Sequence, residues 1–300
     1  MVRNVTLDFF GFLLIILFIT AHLQPLLGEN DVTGWLISNG IARITLPFLF
    51  IINGYYLLPK LINSHRIKRY ILHLVVVYMV WTLIYLPIYI QKIDILSFIS
   101  ILILGYYHLW FLSALIIGLL ILWGIKRVIK NNKIILVIAI IIYVIGYIIL
   151  SLEYDYRIVQ NGLFIGFPFI TIGYFIRKND IINKAENTPL IIIFTLSIIT
   201  LLLESYTGFK FSLYRDIYLS LLFSCSTLFI LIMKHSFYTL NKKYLGELSA
   251  GVYLVHIFII FYLVPNGDIN YIYKYPFVIL GSIILSMTIV FINRYVKVFL

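Results

Sequence analysis

Long apolar runs separated by short polar stretches recur along the whole chain. Ten of them have the length of a membrane-spanning helix, since about 20 residues cross the apolar core of a bilayer. Charged, Pro, Gly or Asn residues bound them, as at helix ends. They cover about residues 7–27, 41–59, 70–90, 107–125, 133–151, 159–176, 189–204, 214–233, 248–264 and 275–293. This pattern predicts an all-α polytopic membrane protein, with a single transmembrane domain over residues 1–300.

Composition agrees with this interpretation and narrows the function. Of the 300 residues, 62% are hydrophobic and 12% are charged, against about 45–50% and about 25% in soluble domains. This balance excludes a water-soluble enzyme, a DNA-binding protein and a secreted disulfide scaffold. The first run carries Asp8 and lacks an Ala-x-Ala site, which favours a permanent helix over a signal peptide. The segment Ile93–Leu104 is too short to span and is expected along the membrane interface.

The net charge of +11 follows the loops of this predicted topology. With the N-terminus in the cytoplasm, 17 of the 23 Lys and Arg residues fall on the cytoplasmic side. The positive-inside rule therefore predicts that both termini are cytoplasmic. The basic charge then reflects topology and contact with anionic membrane lipids, and no nucleic-acid partner is expected. The exceptions on the outer side are Arg43, Lys92, Arg157, Lys210, Arg215 and Lys274.

Five polar positions lie inside predicted spans or at their ends. Ionisable side chains are costly there and usually face the protein interior or a wet cavity. These positions are His22 near the outer end of the first helix, Arg43 at the start of the second, His108 with Trp110 at the start of the fourth, Arg215 with Asp216 at the start of the eighth, and His256 near the middle of the ninth. All but His256 map to the outer third of the membrane, so a shared extracytoplasmic cavity is expected.

Such a cavity suits proton transfer, but each residue also has an ordinary structural interpretation. Histidine takes and returns a proton near neutral pH, and arginine holds an anion or a developing oxyanion. Equally, His22 and His256 suit hydrogen bonds between helices, and the two arginines suit snorkelling to headgroups. His108 beside Trp110 fits an aromatic belt. The sequence contains no metal-binding, P-loop, dinucleotide-binding or nucleophile-elbow motif with supporting context, so no metal is predicted.

Five motifs follow one another along the chain and carry a resemblance. They are Leu7-Asp8-(x13)-His22-Leu23-Gln24-Pro25-Leu26, Arg43-(x3)-Pro47-Phe48-Leu49-Phe50, Tyr107-His108-Leu109-Trp110-Phe111-Leu112, Asn161-Gly162-Leu163-Phe164 and Leu245-Gly246-Glu247-Leu248-Ser249-(x3)-Tyr253-Leu254-Val255-His256. Together they resemble the integral-membrane acyltransferase-3 family, which includes O-acetyltransferases of surface glycans. The wording of the first two resembles the branch that includes the membrane half of the vancomycin-resistance serine racemases.

The resemblance implies an O-acyltransferase of the bacterial cell membrane. Its co-substrate would be acyl-CoA, most simply acetyl-CoA, and its acceptor a hydroxyl of an envelope glycan or a small molecule. No permanently bound cofactor is implied. The implied catalytic residues are His22 as the base, Arg43 steadying the acceptor or oxyanion, and His108 orienting the acceptor or shuttling a proton. Substrate contacts are expected from Trp110, Asn161, Arg215 and His256.

One position departs from the family pattern, in which a basic residue stands eleven positions before the first-helix histidine. Eleven residues bring the helix back to within about 20° of the same face, so both side chains would share it. Here that position is Gly11. Either another cation, such as one in Lys126–Lys133, contacts the donor, or catalysis has weakened. The alternative is therefore a non-catalytic binding or transport protein for a small polar solute such as serine; a structural partner in an envelope complex is less favoured.

Overall fold

A computed structural model describes residues 2–23, 26–28, 30–61, 63–90, 95–152, 156–236, 238–240, 244–263 and 271–300. Its α-helices are α1 Val5–Leu23, α2 Val32–Asn39, α3 Thr45–Leu61, α4 Ser64–Tyr89, α5 Ile95–Leu104, α6 Trp110–Val128, α7 Asn132–Ser151, α8 Phe167–Lys178, α9 Ile181–Lys184, α10 Asn187–Lys210, α11 Leu221–Lys234, α12 Tyr244–Tyr262 and α13 Tyr271–Asn293. Two three-residue strands, β1 Val2–Asn4 and β2 Tyr238–Leu240, pair antiparallel. The predicted fold class, a helical polytopic protein, is confirmed.

Within the described residues, eight helical segments are long and apolar enough to cross a bilayer. They are Val5–Leu23, Val32–Leu61, Ser64–Tyr89, Tyr107–Val128, Asn132–Ser151, Asn187–Lys210, Tyr244–Tyr262 and Tyr273–Asn293. Large apolar side chains stand on their outer faces: Leu72 is 63% exposed, Leu196 59% and Ile284 65%. An apolar surface of this extent is unfavourable in water but suits contact with lipid tails. The backbone polar groups, which lipid cannot satisfy, are hydrogen-bonded within each helix. The protein is therefore a multi-pass membrane protein.

The other two predicted spans, at 159–176 and 214–233, correspond to shorter helices. A π-helical turn, Gly162–Gly166, runs into α8. The prediction that Arg215 and Asp216 begin a helix is wrong, because α11 begins only at Leu221. The preceding segment is held by side-chain bonds instead: Gln160 Nε2 donates to Asp216 Oδ2 at 2.6 Å, and the Tyr143 hydroxyl donates to the Tyr218 carbonyl at 2.7 Å.

The sequence pattern does not predict α2, an eight-residue helix that begins directly after Asp31. The Asp31 carboxylate accepts the Gly34 N–H at 2.6 Å, which satisfies one of the donors exposed at the first turn. A 3₁₀ turn, Ile41–Ile44, then joins α2 to α3. The predicted interfacial segment is helical as α5, although its residues 93 and 94 lie outside the described residues. Its depth and the side of each terminus stay predictions.

The helices divide into two compact units. The first comprises residues 1–45, 195–214 and 231–300. In it, α1 packs against α12, and α12 packs against α13. Asn4 fixes the start of α1, because its Oδ1 accepts the Leu7 N–H at 2.9 Å while its Nδ2 donates to Ser236 Oγ at 2.6 Å. These bonds anchor the base of the helix that carries His22.

The second unit comprises residues 46–194 and 215–230. In it, α3 and α8 approach to backbone contact. A Cβ on Gly54 would collide with the backbone of Ile170, and one on Gly173 would collide with the backbone of Ile51. Small residues let transmembrane helices approach to backbone contact, where dispersion replaces the hydrophobic force that lipid cannot supply. The two glycines therefore set the distance between these helices.

Candidate functional site

The buried face of α1 carries the first candidate residue. Its buried positions include Leu7, Gly11, Ile15 and Phe18, and His22 continues the same spacing of three or four residues. Residues at this spacing share one face of a helix, so Gly11 and His22 lie on one face, as the sequence predicts. A methyl group at Gly11 would have no neighbour within 4 Å beyond the local helix backbone. The position is therefore buried and yet has room for a side chain.

The structure brings His22 against His256 of α12. The two ring centres are 5.2 Å apart with an angle of 43° between the ring planes. Phe18 closes one side of the pair: its ring centre is 4.7 Å from that of His22 and 6.2 Å from that of His256. Tyr253 stacks on Phe18 at 6.1 Å. Two histidines from opposite ends of the sequence thus share one aromatic environment inside the first unit.

The hydrogen bonding of His256 identifies its tautomer. Its Nδ1 lies 2.7 Å from the carbonyl oxygen of Tyr253, and its side chain is fully buried. A carbonyl oxygen only accepts, so this bond places a hydrogen on Nδ1. In the neutral ring, Nε2 then carries the acceptor lone pair. The residue predicted to contact substrate therefore has a defined proton-accepting atom, on a ring that lies against His22.

Arg43 lies in the 3₁₀ turn between α2 and α3, within the first unit. Its Nη2 donates to Asn39 Oδ1 at 2.9 Å, and Asn39 is buried. The turn is tied to α1, because Thr45 Oγ1 donates to the Leu14 carbonyl at 2.9 Å. The neutral amide of Asn39 orients the guanidinium without cancelling its charge. Arg43 is thereby suited to hold an anionic group.

Sequence reasoning missed Trp35, which holds α2 in place. Its indole Nε1 donates to the Ser205 carbonyl at 3.1 Å, and the side chain is buried. Its ring centre lies 4.7 Å from that of Tyr214 and 5.7 Å from that of Phe209. The signal was present in the sequence, since an Asp at position 31 precedes a short apolar stretch and marks a helix start.

His108 is fully buried in the second unit. It sits in a 3₁₀ turn, Tyr107–Leu109, directly before α6. The whole apolar helical segment is Tyr107–Val128, so the prediction that His108 stands at the start of the fourth span is confirmed. The ring of Tyr85 meets it edge-on at 5.0 Å. Gly105 permits the preceding reversal of the chain, because its φ of +93° is one that side chains rarely adopt. His108 is thus placed by a glycine turn and a tyrosine ring.

The remaining predicted substrate contacts also belong to the second unit. Trp110 is buried, with its ring centre 6.5 Å from that of Phe50. Asn161 caps the π-helical turn: its Oδ1 accepts the N–H groups of Leu163 and Phe164 at 2.9 and 3.3 Å. Arg215 is half-buried in the segment before α11. The substrate roles of these three residues, like the shared cavity, stay predictions.

Cations at the ends of two helices of the second unit, α6 and α8, lie over aromatic rings. Lys126 Nζ donates to Asn132 Oδ1 at 2.7 Å and lies 5.3 Å from the Tyr174 ring centre. Arg177 Nη1 donates to the Tyr55 hydroxyl at 2.7 Å and stacks on the same ring at 5.0 Å. These partners are neutral, so the positive charge at Lys126 and Arg177 is oriented without being cancelled.

Comparisons with known proteins found matches that cover most of the chain. A family model described as an acyltransferase domain matches residues 4–291. The serine/alanine racemase of Enterococcus gallinarum is 28% identical over 293 residues, covering 85% of this chain and 40% of the relative. An amino-acid racemase of Enterococcus faecalis is 23% identical over 291 residues, with the same two coverages. The chain thus spans 40% of the length of these curated relatives. No solved structure matches it.

Proposed function

Because the chain belongs to the membrane acyltransferase family whose domain matches residues 4–291, we propose that it is an O-acyltransferase of the cell membrane. It moves an acyl group, most simply acetyl, from acyl-CoA to a hydroxyl of an envelope glycan or a small acceptor. The observation that carries this proposal is the half-buried His22, whose ring lies against a second histidine and against Phe18 in the first unit. A histidine so placed has the chemistry of a general base.

The proposed reaction moves one proton through His22. The imidazole removes the proton from the acceptor hydroxyl as the oxygen attacks the thioester carbonyl carbon. A new C–O bond forms, and the carbonyl oxygen becomes an oxyanion that a guanidinium stabilises. The C–S bond then breaks, and the His22 imidazolium returns its proton to sulfur, releasing CoA thiol and the O-acyl product. Arg43, oriented by Asn39 in the same unit as His22, is the proposed oxyanion partner.

His108 retains its proposed role in orienting the acceptor or relaying a proton. Complete burial and an edge-on tyrosine ring support it, because a histidine placed this way has few orientations open to it. Trp110, Asn161, Arg215 and His256 keep their proposed contacts with substrate. The Asn161 amide also caps a helical turn, so its loss would disturb the backbone at the same time.

The central test is acetyl transfer from radiolabelled acetyl-CoA by purified protein in proteoliposomes. Acceptors are glycan fragments released from bacterial cell wall by muramidase and, in a separate arm, free L-serine. The expected result is labelled product with release of one CoA thiol per acetyl group transferred. Proteoliposomes without protein provide the background. Absence of transfer to every acceptor, with no thiol release, contradicts the proposed activity.

The phosphates of acyl-CoA are proposed to contact Lys126 and Arg177. Lys126→Ala is expected to raise the Kd for CoA about 10- to 150-fold, because a charged hydrogen bond contributes about 1.5–3 kcal/mol. The loss should shrink at high salt, as screening weakens the contact in the native protein. Equilibrium binding of tritiated CoA measures it. Lys210→Ala is the matched control, since Lys210 lies in the other unit. If Lys210→Ala raises the Kd for CoA as much as Lys126→Ala does, the binding depends only on general attraction between the positive protein and the CoA phosphates.

A cation at position 11 should strengthen donor binding. Gly11→Arg restores the basic residue of the family pattern on the face of α1 that carries His22, where a side chain has room. The expected result is about a tenfold lower Kd for acetyl-CoA, by the same charged hydrogen-bond energy. Gly11→Leu, which adds bulk without charge, should bring no gain. If both variants bind acetyl-CoA as the native protein does, the donor does not pass position 11.

The second candidate function is binding or transport of a small polar solute such as serine, without acyl transfer. Gly11 favours it, because the family's basic residue is absent from its place on α1. The racemase names of the relatives suggest an amino acid as the solute. Proteoliposomes loaded with buffer and given labelled L-serine, with no acyl-CoA present, separate the two functions. Concentrative or saturable uptake supports transport, whereas transfer of label from acetyl-CoA supports the enzyme.

A further inference from the structure

We propose that His256 is the positioning residue of His22. It orients the His22 ring and stabilises the imidazolium that forms when His22 takes the proton of the acceptor hydroxyl. This role rests on the acyl transfer proposed above, and it goes beyond a contact with substrate. It assigns the two histidines to one functional unit, formed where α1 packs against α12 in the first unit.

The first step is the contact between the rings. With centres 5.2 Å apart, the two imidazoles touch across the helix interface. Phe18 lies against both of them and limits how far either ring can turn. Tyr253 in turn stacks on Phe18, so the four rings support one another. Rotamers locked by packing are what hold a catalytic group in its productive geometry.

The second step is the tautomer. The Tyr253 carbonyl accepts from Nδ1 of His256, which leaves the lone pair on Nε2, and Nε2 is buried. In the proposed reaction, the imidazolium formed on His22 donates to this lone pair, as the histidine of a Ser-His-Asp triad donates to its carboxylate. Here the proposed acceptor is a neutral ring. Because two adjacent imidazolium rings would repel each other, the proposal places the proton taken from substrate on His22 and keeps His256 neutral.

The experiment observes the histidine ring nitrogens directly and measures acyl transfer in parallel. Protein labelled with [15N]histidine is incorporated in nanodiscs, and the six histidines are assigned by single substitutions. Nitrogen chemical shifts distinguish the two neutral tautomers and the protonated ring. His256→Phe removes the acceptor and keeps a ring; His256→Gln keeps a polar acceptor and serves if the Phe variant does not fold. His235→Gln, at an exposed histidine, is the matched control.

The native protein should show His256 protonated at Nδ1 and His22 in a single tautomer. His256→Phe should convert His22 to a mixture of tautomers and lower kcat about 10- to 100-fold, with the KM for acetyl-CoA changed less than about twofold. His256→Gln should recover part of both effects. His235→Gln should change neither.

Three outcomes separate this inference from the proposed function. If folded His256→Phe protein leaves the His22 signals and kcat unchanged, His256 has no positioning role, whatever the reaction. If KM rises while kcat and the His22 tautomer stay constant, His256 is a substrate contact and the inference is overturned. If the native protein transfers no acyl group but its His22 tautomer depends on His256, the proposed function fails and the coupling of the two rings stands.

Discussion

Replacing His22 by alanine is expected to lower kcat for acetyl transfer about 10²- to 10⁴-fold. General-base catalysis contributes a factor of this size. Substrate binding should change little by comparison, because the imidazole acts on the reacting hydroxyl. Steady-state transfer from radiolabelled acetyl-CoA in proteoliposomes provides the measurement.

The His22→Ala result needs two companions, because the substitution also removes a ring from the cluster around Phe18. His22→Gln keeps polar volume but cannot accept the proton, so it should be as inactive as the alanine variant. His65→Ala removes an exposed histidine and should transfer at the native rate. Thermal unfolding in detergent checks that each variant is folded. Transfer by folded His22→Ala protein at more than about a tenth of the native rate means that another residue is the base.

The second large effect is expected from Gly173, where α8 lies against the backbone of α3. Gly173→Ala should destabilise the second unit by about 3 kcal/mol or more, because the new Cβ would overlap the Ile51 carbonyl and the Tyr55 amide. Backbone atoms in a helix cannot rotate aside as a side chain does. The helices must separate instead, and they lose the dispersion contacts between them. Thermal or denaturant unfolding of purified protein in detergent reports the loss.

Gly124→Ala is the matched control for this prediction. Gly124 is also helical, but it is exposed, and a Cβ there would meet nothing within 4 Å. Alanine favours a helix interior over glycine by about 1 kcal/mol, so this variant should be neutral or slightly more stable. The same chemical change thus acts with opposite sign at two sites. Equal stability of the two variants would mean that α3 and α8 do not approach as closely as described.

The spans are predictable from the sequence because each apolar run must be long enough to cross the apolar core of the bilayer. α7 matches its predicted run to within one residue for this reason, whereas α10 begins two residues earlier and ends six residues later than predicted. Runs containing Gly or a polar hydrogen-bonding residue deviate more: Gly162–Gly166 forms a π-helical turn, and Asp216, which accepts from Gln160, lies before α11. Such deviations depend on tertiary partners that hydropathy does not record.

The candidate site was predictable as a set of residues but not as an arrangement. Depth in the membrane singled out His22 and Arg43, since ionisable groups are rare there. It gave no reason to pair His22 with His256, because helix order along the chain does not determine which helices pack together. Asn161, by contrast, was singled out by its motif. The sequence does not distinguish an amide oxygen that caps a helical turn, as that of Asn161 does, from one that binds substrate.

The bonds that anchor the base of α1 have a consequence for how the protein is made. Asn4 bonds to Met233 and Ser236, which are separated from it by 229 and 232 positions. A ribosome adding 5–20 residues per second needs roughly 10–50 s to cover that distance. Throughout this interval α1 lacks two of its native neighbours, α12 and α13. The contact between His22 and His256 therefore forms only after α12 has been synthesised.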